Sequence, residues 1–136
     1  MTSHCHWIRN YTPLHISIKL ADSSVIYSAG VGTVIFNPVV RGKSLRSIEF
    51  TRVLHVSQLQ NNLLSCLYLT RNKGFHIHID AEFLHFELNK KELFCASINS
   101  NNSAHLDGVT EAILEYAHIF SSTLPLDISL WHRCFA

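Results

Sequence analysis

Three groups of side chains carry whatever chemistry this sequence can do. His4-Cys5-His6 sets two imidazoles and a thiol side by side, the residue types of a zinc site. Adjacent residues point in different directions, a structural zinc site takes about four ligands, and no second pair stands at a familiar spacing. The expectation is an exposed loop or terminus. His76, His78 and Asp80 alternate, so an extended strand places all three on one face, and His85 can join across a hairpin. Such a face can bind a metal. It is also the ordinary solvated side of an antiparallel strand whose Phe75, Ile77 and Ile79 turn to a core. The simpler reading is preferred: no metal ligand and no cofactor is expected.

Nucleophiles and acids are no better placed. Cys66 lies beside leucines on a predicted helix and Cys95 alternates within a predicted strand, so both read as inert core thiols. No G-x-S-x-G is present. Gly30 and Gly32 lack the third glycine and the lysine of a phosphate loop. An aspartic peptidase needs two carboxylates sharing one proton, each on an Asp-Ser/Thr-Gly turn. Asp22-Ser23-Ser24 comes nearest, but no glycine follows, and the stretch reads as an ordinary turn. No catalytic residue is assigned.

The elements that would hold these residues are mostly strands. Leu14 to Leu20 alternates strictly, which puts Leu14, Ile16, Ile18 and Leu20 on one face. Val25-Ile26-Tyr27 and Val34-Ile35-Phe36 follow, separated by Gly30-Val31-Gly32, read as a flexible joint. Leu45 to Val56 is another extended stretch. At Leu59 the period changes: Leu59, Leu63, Leu64, Leu67 and Tyr68 make a helical stripe, with Asn61 or Asn62 as cap and Lys73-Gly74 as its end. Phe75–Asp80, Phe83–Leu88 and Leu93–Ile98 then form a meander, with a polar turn at Asn89–Glu92. The run 99–103 closes the compact part. From about Ala104 the pattern weakens; a short helix is expected over Glu111–Phe120, followed by a tail from Leu124, and the C-terminal third is expected to be partly ordered at best.

Composition agrees with one domain. The chain has 136 residues, 47% of them hydrophobic and 15% charged, so it can build a core and is not expected to be disordered. Formal net charge is +1 and no basic block stands out, so no nucleic-acid binding is expected. No stretch is long and apolar enough to span a membrane, and no secretory signal is visible. The four cysteines are therefore read as reduced.

Several segments, taken in order, carry a family resemblance: Thr2-Ser3-His4, Tyr11-Thr12-Pro13-Leu14, Leu20-Ala21-Asp22-Ser23, Gly30-Val31-Gly32-Thr33-Val34, Val53-Leu54-His55-Val56, Asn62-Leu63-Leu64-Ser65, Lys73-Gly74-Phe75 and Leu130-Trp131-His132-Arg133. The set resembles the Pol polyprotein of copia-type LTR retrotransposons. The count and spacing of the segments predict a mainly β fold, a small closed or nearly closed antiparallel barrel of about six to eight short strands with one short helix; the resemblance implies that this barrel is retropepsin-like, similar to the barrel of transposon TNT polyproteins. It places this barrel, without its catalytic loop, at 1–103 and a linker with the truncated start of a gag-pre-integrase region at 104–136. The family's Asp-Ser/Thr-Gly-Ala motif stands immediately before Thr-Ser-His. Met1 takes the place of its last residue, so the resemblance implies a degenerate aspartic peptidase without its acid. His132 would be the first zinc ligand of the gag-pre-integrase module, whose remaining ligands fall beyond Ala136; Cys134 matches no ligand position. Exposed barrel edges imply self-association. Family analogy points to the cytoplasm. Two alternatives stay open: a domesticated binding module, and an active protease if the gene model is cut short upstream.

Overall fold

The computed structural model describes residues 1–113. Along the chain come a 3-10 turn at Cys5–Trp7, then β1 (Arg9–Pro13), β2 (Ser17–Lys19), β3 (Val25–Tyr27), β4 (Gly30–Val40), β5 (Lys43–Ser44), β6 (Ile48–His55), α1 (Cys66–Lys73), β7 (His76–Ile79), β8 (Phe83–Leu88), β9 (Lys91–Ile98), β10 (Ala104–Leu106) and β11 (Gly108–Thr110). The protein is thus mainly β with one α-helix, as expected. It has eleven strands over these residues rather than six to eight. They form separate open ladders and not a closed ring, because β4 alone takes β1, β5, β6 and β11 along different parts of its length. The contacts divide the chain into two compact units. One comprises Met1–Ile35, Glu49–Leu63 and the stretch beginning at Glu111; the other comprises Phe36–Ile48 and Leu64–Thr110.

In the first unit β1 runs antiparallel to the start of β4, pairing Arg9 with Thr33 and Pro13 with Gly30, and a bulge lies between Arg9 and Thr12. Ile8, Val34 and Val56 are buried here. The Gly30–Gly32 stretch is not a joint. It is ladder, and its glycines permit close approach: a Cβ on Gly30 would lie 2.1 Å from Tyr11 Cζ, and one on Gly32 would lie 2.4 Å from the Arg9 carbonyl. The strand expected over Leu14–Leu20 shortens to β2, which pairs with β3 as a two-stranded ribbon. Upstream of it the Ser28 hydroxyl donates to the Leu14 carbonyl at 2.6 Å and accepts from Ile16 N at 3.0 Å, so a side chain takes backbone groups a longer ladder would use.

In the second unit four strands lie in the order β10-β9-β8-β7. The sequence-predicted meander is present, with β8 and β9 joined through Asn89 and Lys90. Leu88 pairs with Lys91, and both loop residues have positive φ (52° and 64°), the requirement of a type I′ turn. Phe86 and Phe94 face each other in register and stack at 4.3 Å; Phe94 also meets Phe75 and Phe36 edge-on at 5.8 and 6.4 Å. This cluster is the unit's apolar centre. Ile79, expected at the core, is 67% exposed at the end of β7.

The helix begins later than its apolar stripe suggests. Ser65 is the N-cap, its Oγ accepting from Tyr68 N at 3.1 Å, and Gly74 closes the helix in the left-handed region at φ 74°. Leu63 and Met1 exchange backbone hydrogen bonds at 3.0 and 2.8 Å, so Leu63 N–H is committed outside the helix. Beyond Ser103 the chain adds β10 against β9 and β11 against the end of β4. Glu111–Ile113, the start of the helix expected over Glu111–Phe120, is not helical; Glu111 N donates to Ile35 O and Ile113 N to His6 O. The rest of that helix, the tail from Leu124, His132 and Cys134 lie outside the described residues.

Candidate functional site

The densest polar constellation is built on the meander. Register places His85 opposite His78 on one side and Cys95 on the other. Its side chain is 8% exposed, and both ring nitrogens are engaged: Nε2 lies 2.7 Å from Asp80 Oδ2 and Nδ1 lies 2.8 Å from Glu92 Oε1. Each carboxylate divides its oxygens. Asp80 Oδ1 accepts from the N–H groups of Glu82 and Phe83, both at 2.8 Å, while Glu92 Oε2 meets Arg41 Nη1 at 3.4 Å. The hydrogen bonds to Asp80 and then Glu92 raise the His85 pKa, and the bond from His85, with the two backbone donors, holds Asp80 well below the usual carboxylate range. A ring donating from both nitrogens is an imidazolium.

The same geometry describes the His76/His78/Asp80/His85 face: both nitrogens of His85 are turned to carboxylate oxygens. His78 stacks on His85 at 4.6 Å with its Nδ1 3.6 Å from Glu87 Oε1, and His76 is exposed opposite Glu87. Among the described residues, no three His, Cys, Asp or Glu side chains are grouped so as to hold a metal ion.

His4-Cys5-His6 is not an exposed loop. Cys5 and His6 lie in the 3-10 turn and His4 is its N-cap residue, with Cys5 5% exposed, His4 and His6 edge-to-face at 5.5 Å, and His4 against Trp7 at 4.1 Å. Burial first, then the neighbouring His4, lowers the His6 pKa. Cys5 is disulfide-bonded, against the expectation of reduced cysteines throughout.

Of the two free thiols among the described residues, only Cys95 matches its reading as a core thiol; Cys66, at the start of α1, is half-buried, because the helix begins there and turns its leucine-side neighbours partly to solvent. Cys95 is 1% exposed, donates to Asp107 Oδ2 at 3.3 Å, and is pushed up to about 12 by desolvation and then by the Asp107 carboxylate. Ser97 Oγ holds that same carboxylate at 2.6 and 2.8 Å. Asp22 sits in an exposed turn, its Oδ1 accepting from Ser24 N at 2.9 Å and Ser24 Oγ at 2.5 Å, which lowers its pKa. Such an Asx turn commits the carboxylate to its own loop.

One arrangement that the sequence did not advertise lies in the first unit. Thr2 forms an isolated parallel bridge with His55: Thr2 N donates to Leu54 O at 3.0 Å and Val56 N donates to Thr2 O at 2.9 Å. The Thr2 hydroxyl donates to Asn62 Oδ1 at 2.6 Å. The buried His55 ring meets the Tyr11 hydroxyl at 2.8 Å through Nδ1. The partners Glu92, Asp107, Tyr11 and Asn62 were all missed by sequence reasoning, because each is tied to its site by strand register or chain return rather than by spacing.

An antiparallel β module with one capped helix is the class that these elements define. The family model for the β-barrel domain of the Pol polyprotein matches residues 1–75, and the chain belongs to that family, a retroelement one. No curated protein and no solved structure matches the chain. No helix among the described residues is long and apolar enough to cross a membrane.

Proposed function

We propose that this chain is the barrel segment of a copia-type Pol polyprotein that acts as a non-catalytic scaffold, a degenerate relative of retropepsins. The observation that carries the reading is the clasp on Thr2. The residues that resemble the shoulder of the peptidase loop, Thr2-Ser3-His4, enter a parallel bridge beside His55, and Thr2 is tied to Asn62 of the Asn62-Leu63-Leu64-Ser65 motif. Two of the motifs that carry the resemblance therefore meet through Thr2 and Asn62, which supports a structural use of this shoulder. Aspartic-peptidase chemistry needs two carboxylates sharing a proton around one water. The nearest candidate in sequence, Asp22, is consumed by its own turn.

The test is incubation of the purified chain with a mixed peptide substrate across acid to neutral pH, with and without a transition-state analogue of aspartic peptidases. No inhibitor-sensitive cleavage is expected. Cleavage that survives purification and is blocked by the analogue overturns the reading.

Self-association belongs to the same proposal. β7 and β10 are the edge strands of the second unit's sheet, and β7 carries the exposed Ile79. Open edges pair with other chains. Sedimentation should show concentration-dependent assembly, and a monodisperse monomer at high concentration overturns this part.

A further inference from the structure

No basic block exists in the linear sequence, yet the second unit gathers one. Two two-residue turns stand at one end of it. In the first, Val40 pairs with Lys43 across Arg41 and Gly42; in the second, Leu88 pairs with Lys91 across Asn89 and Lys90. All four loop residues have positive φ, so both are tight type I′ turns with little freedom to fold away. Two contacts align the hairpins. Cys95 Sγ reaches Val39 O at 3.9 Å, and farther toward the turns Arg41 Nη1 reaches Glu92 Oε2 at 3.4 Å. The helix end joins them, since a Cβ on Gly74, next to Lys73, would meet Leu88 Cδ1 at 3.8 Å.

Arg41, Lys43, Lys73, Lys90 and Lys91 thus meet at one end of the unit, five of the chain's eleven Lys and Arg residues. All five are exposed, and among the described residues none of the four lysines is in an ion pair. The acids nearest them are already engaged: Glu92 by His85 and Arg41, Glu87 by His78.

We propose that this double-turn end is a docking surface for the sugar–phosphate backbone of single-stranded nucleic acid. Unpaired lysines on rigid turns are point charges suited to phosphates and carry no base-reading geometry. The turn tips, Arg41-Gly42 and Asn89-Lys90, present no apolar side chain, so a lipid bilayer gains nothing from insertion there. Binding is therefore sequence-independent and electrostatic.

The experiment is fluorescence anisotropy of a labelled oligothymidylate titrated with the full chain at several NaCl concentrations. About four phosphate contacts at roughly 0.7 released counter-ion each give a log–log salt slope near −3, hence about a 50-fold loss of affinity for a fourfold rise in salt. The triple variant K43Q/K90Q/K91Q is expected to lose most of the binding and bring the slope to about −1, with an unchanged melting temperature because the residues are exposed. K19Q/R52Q, which removes two exposed cations of the other unit, should bind as the wild type does. Absence of binding at low salt, a salt-independent affinity, or undiminished binding by the triple variant overturns the proposal. Tighter binding to polyglutamate or to vesicles containing phosphatidylserine overturns it as well, in favour of those partners.

Discussion

His85 Nε2 and Asp80 Oδ2 lie 2.7 Å apart across the turn between β7 and β8, and the same ring holds Glu92 on β9 at 2.8 Å. One cation therefore fastens three consecutive segments. The folded His85 pKa lies above its ordinary 6.5, so its contribution is complete below about pH 6.5 and is lost as pH rises through the folded value. The folded Asp80 pKa lies below its ordinary 3.8, so its contribution is present above about pH 3.8 and is lost as pH falls toward the folded value. Stability should be greatest between these limits and decline on the alkaline side. His85→Gln should remove the alkaline decline and cost roughly 2 kcal/mol near pH 6, the scale of charged hydrogen bonds. Urea midpoints across the pH range check this; a wild type that gains stability from about pH 6 to 9 sinks it.

Close approach at the two strand glycines gives a second expectation. Gly30→Ala strikes the Tyr11 ring, which can turn aside, whereas Gly32→Ala strikes the Arg9 carbonyl, which cannot move without disturbing β1. Both should destabilise, on the order of 1–3 kcal/mol, with Gly32→Ala the more damaging. Thermal unfolding of the two variants decides the order, and equal or reversed losses contradict the account.

The helix is short, so its caps matter. Ser65→Ala removes the acceptor for Tyr68 N and should cost about 1 kcal/mol, while Ser65→Gly should cost only a few tenths. Gly74→Ala must hold a side chain at φ 74° and should cost about 1 kcal/mol. Denaturant titration followed by circular dichroism distinguishes these; a Gly substitution at 65 as costly as Ala would remove the cap from the explanation.

Thiol labelling provides a fourth check. With its pKa pushed up to about 12 and 1% exposure, Cys95 holds almost no accessible thiolate at neutral pH. Iodoacetamide should modify Cys66 in the folded protein and reach Cys95 only after unfolding. Peptide mapping reads the outcome directly, and rapid native labelling of Cys95 contradicts its burial.

The parts of the fold governed by local pattern were legible in the sequence. The meander from Phe75 to Ile98 follows alternation, and Lys73-Gly74 marks the end of α1 as expected. Parts governed by distant chain were not. The helix start moves because Leu63 is taken by Met1, the Leu14–Leu20 strand shortens where Ser28 enters, and the Gly30–Gly32 stretch is rigid because Tyr11 and Arg9 press on it. The site shows the same division. Alternation put His78 and Asp80 on one strand face, but only register shows His85 lying between Asp80 and Glu92, with both ring nitrogens committed to carboxylates. Charge divides in the same way: a count along the chain shows no basic block, whereas strand register sets Arg41 and Lys90 in two tight turns of the second unit.

The first unit is stitched from three separated stretches, and its stitching includes the bond from Glu111 N to Ile35 O. Strands β7 to β10 each lie beside their neighbours in sequence. During translation the later-made meander can therefore zip hairpin by hairpin, because its loop closures are short, while the earlier-made residues wait for a distant piece to leave the ribosome. A nascent chain halted before residue 111 would carry a finished ribbon of strands but lack the bonds from Glu111 N to Ile35 O and from Ile113 N to His6 O, leaving residues 1–35 and 49–63 the more protease-sensitive.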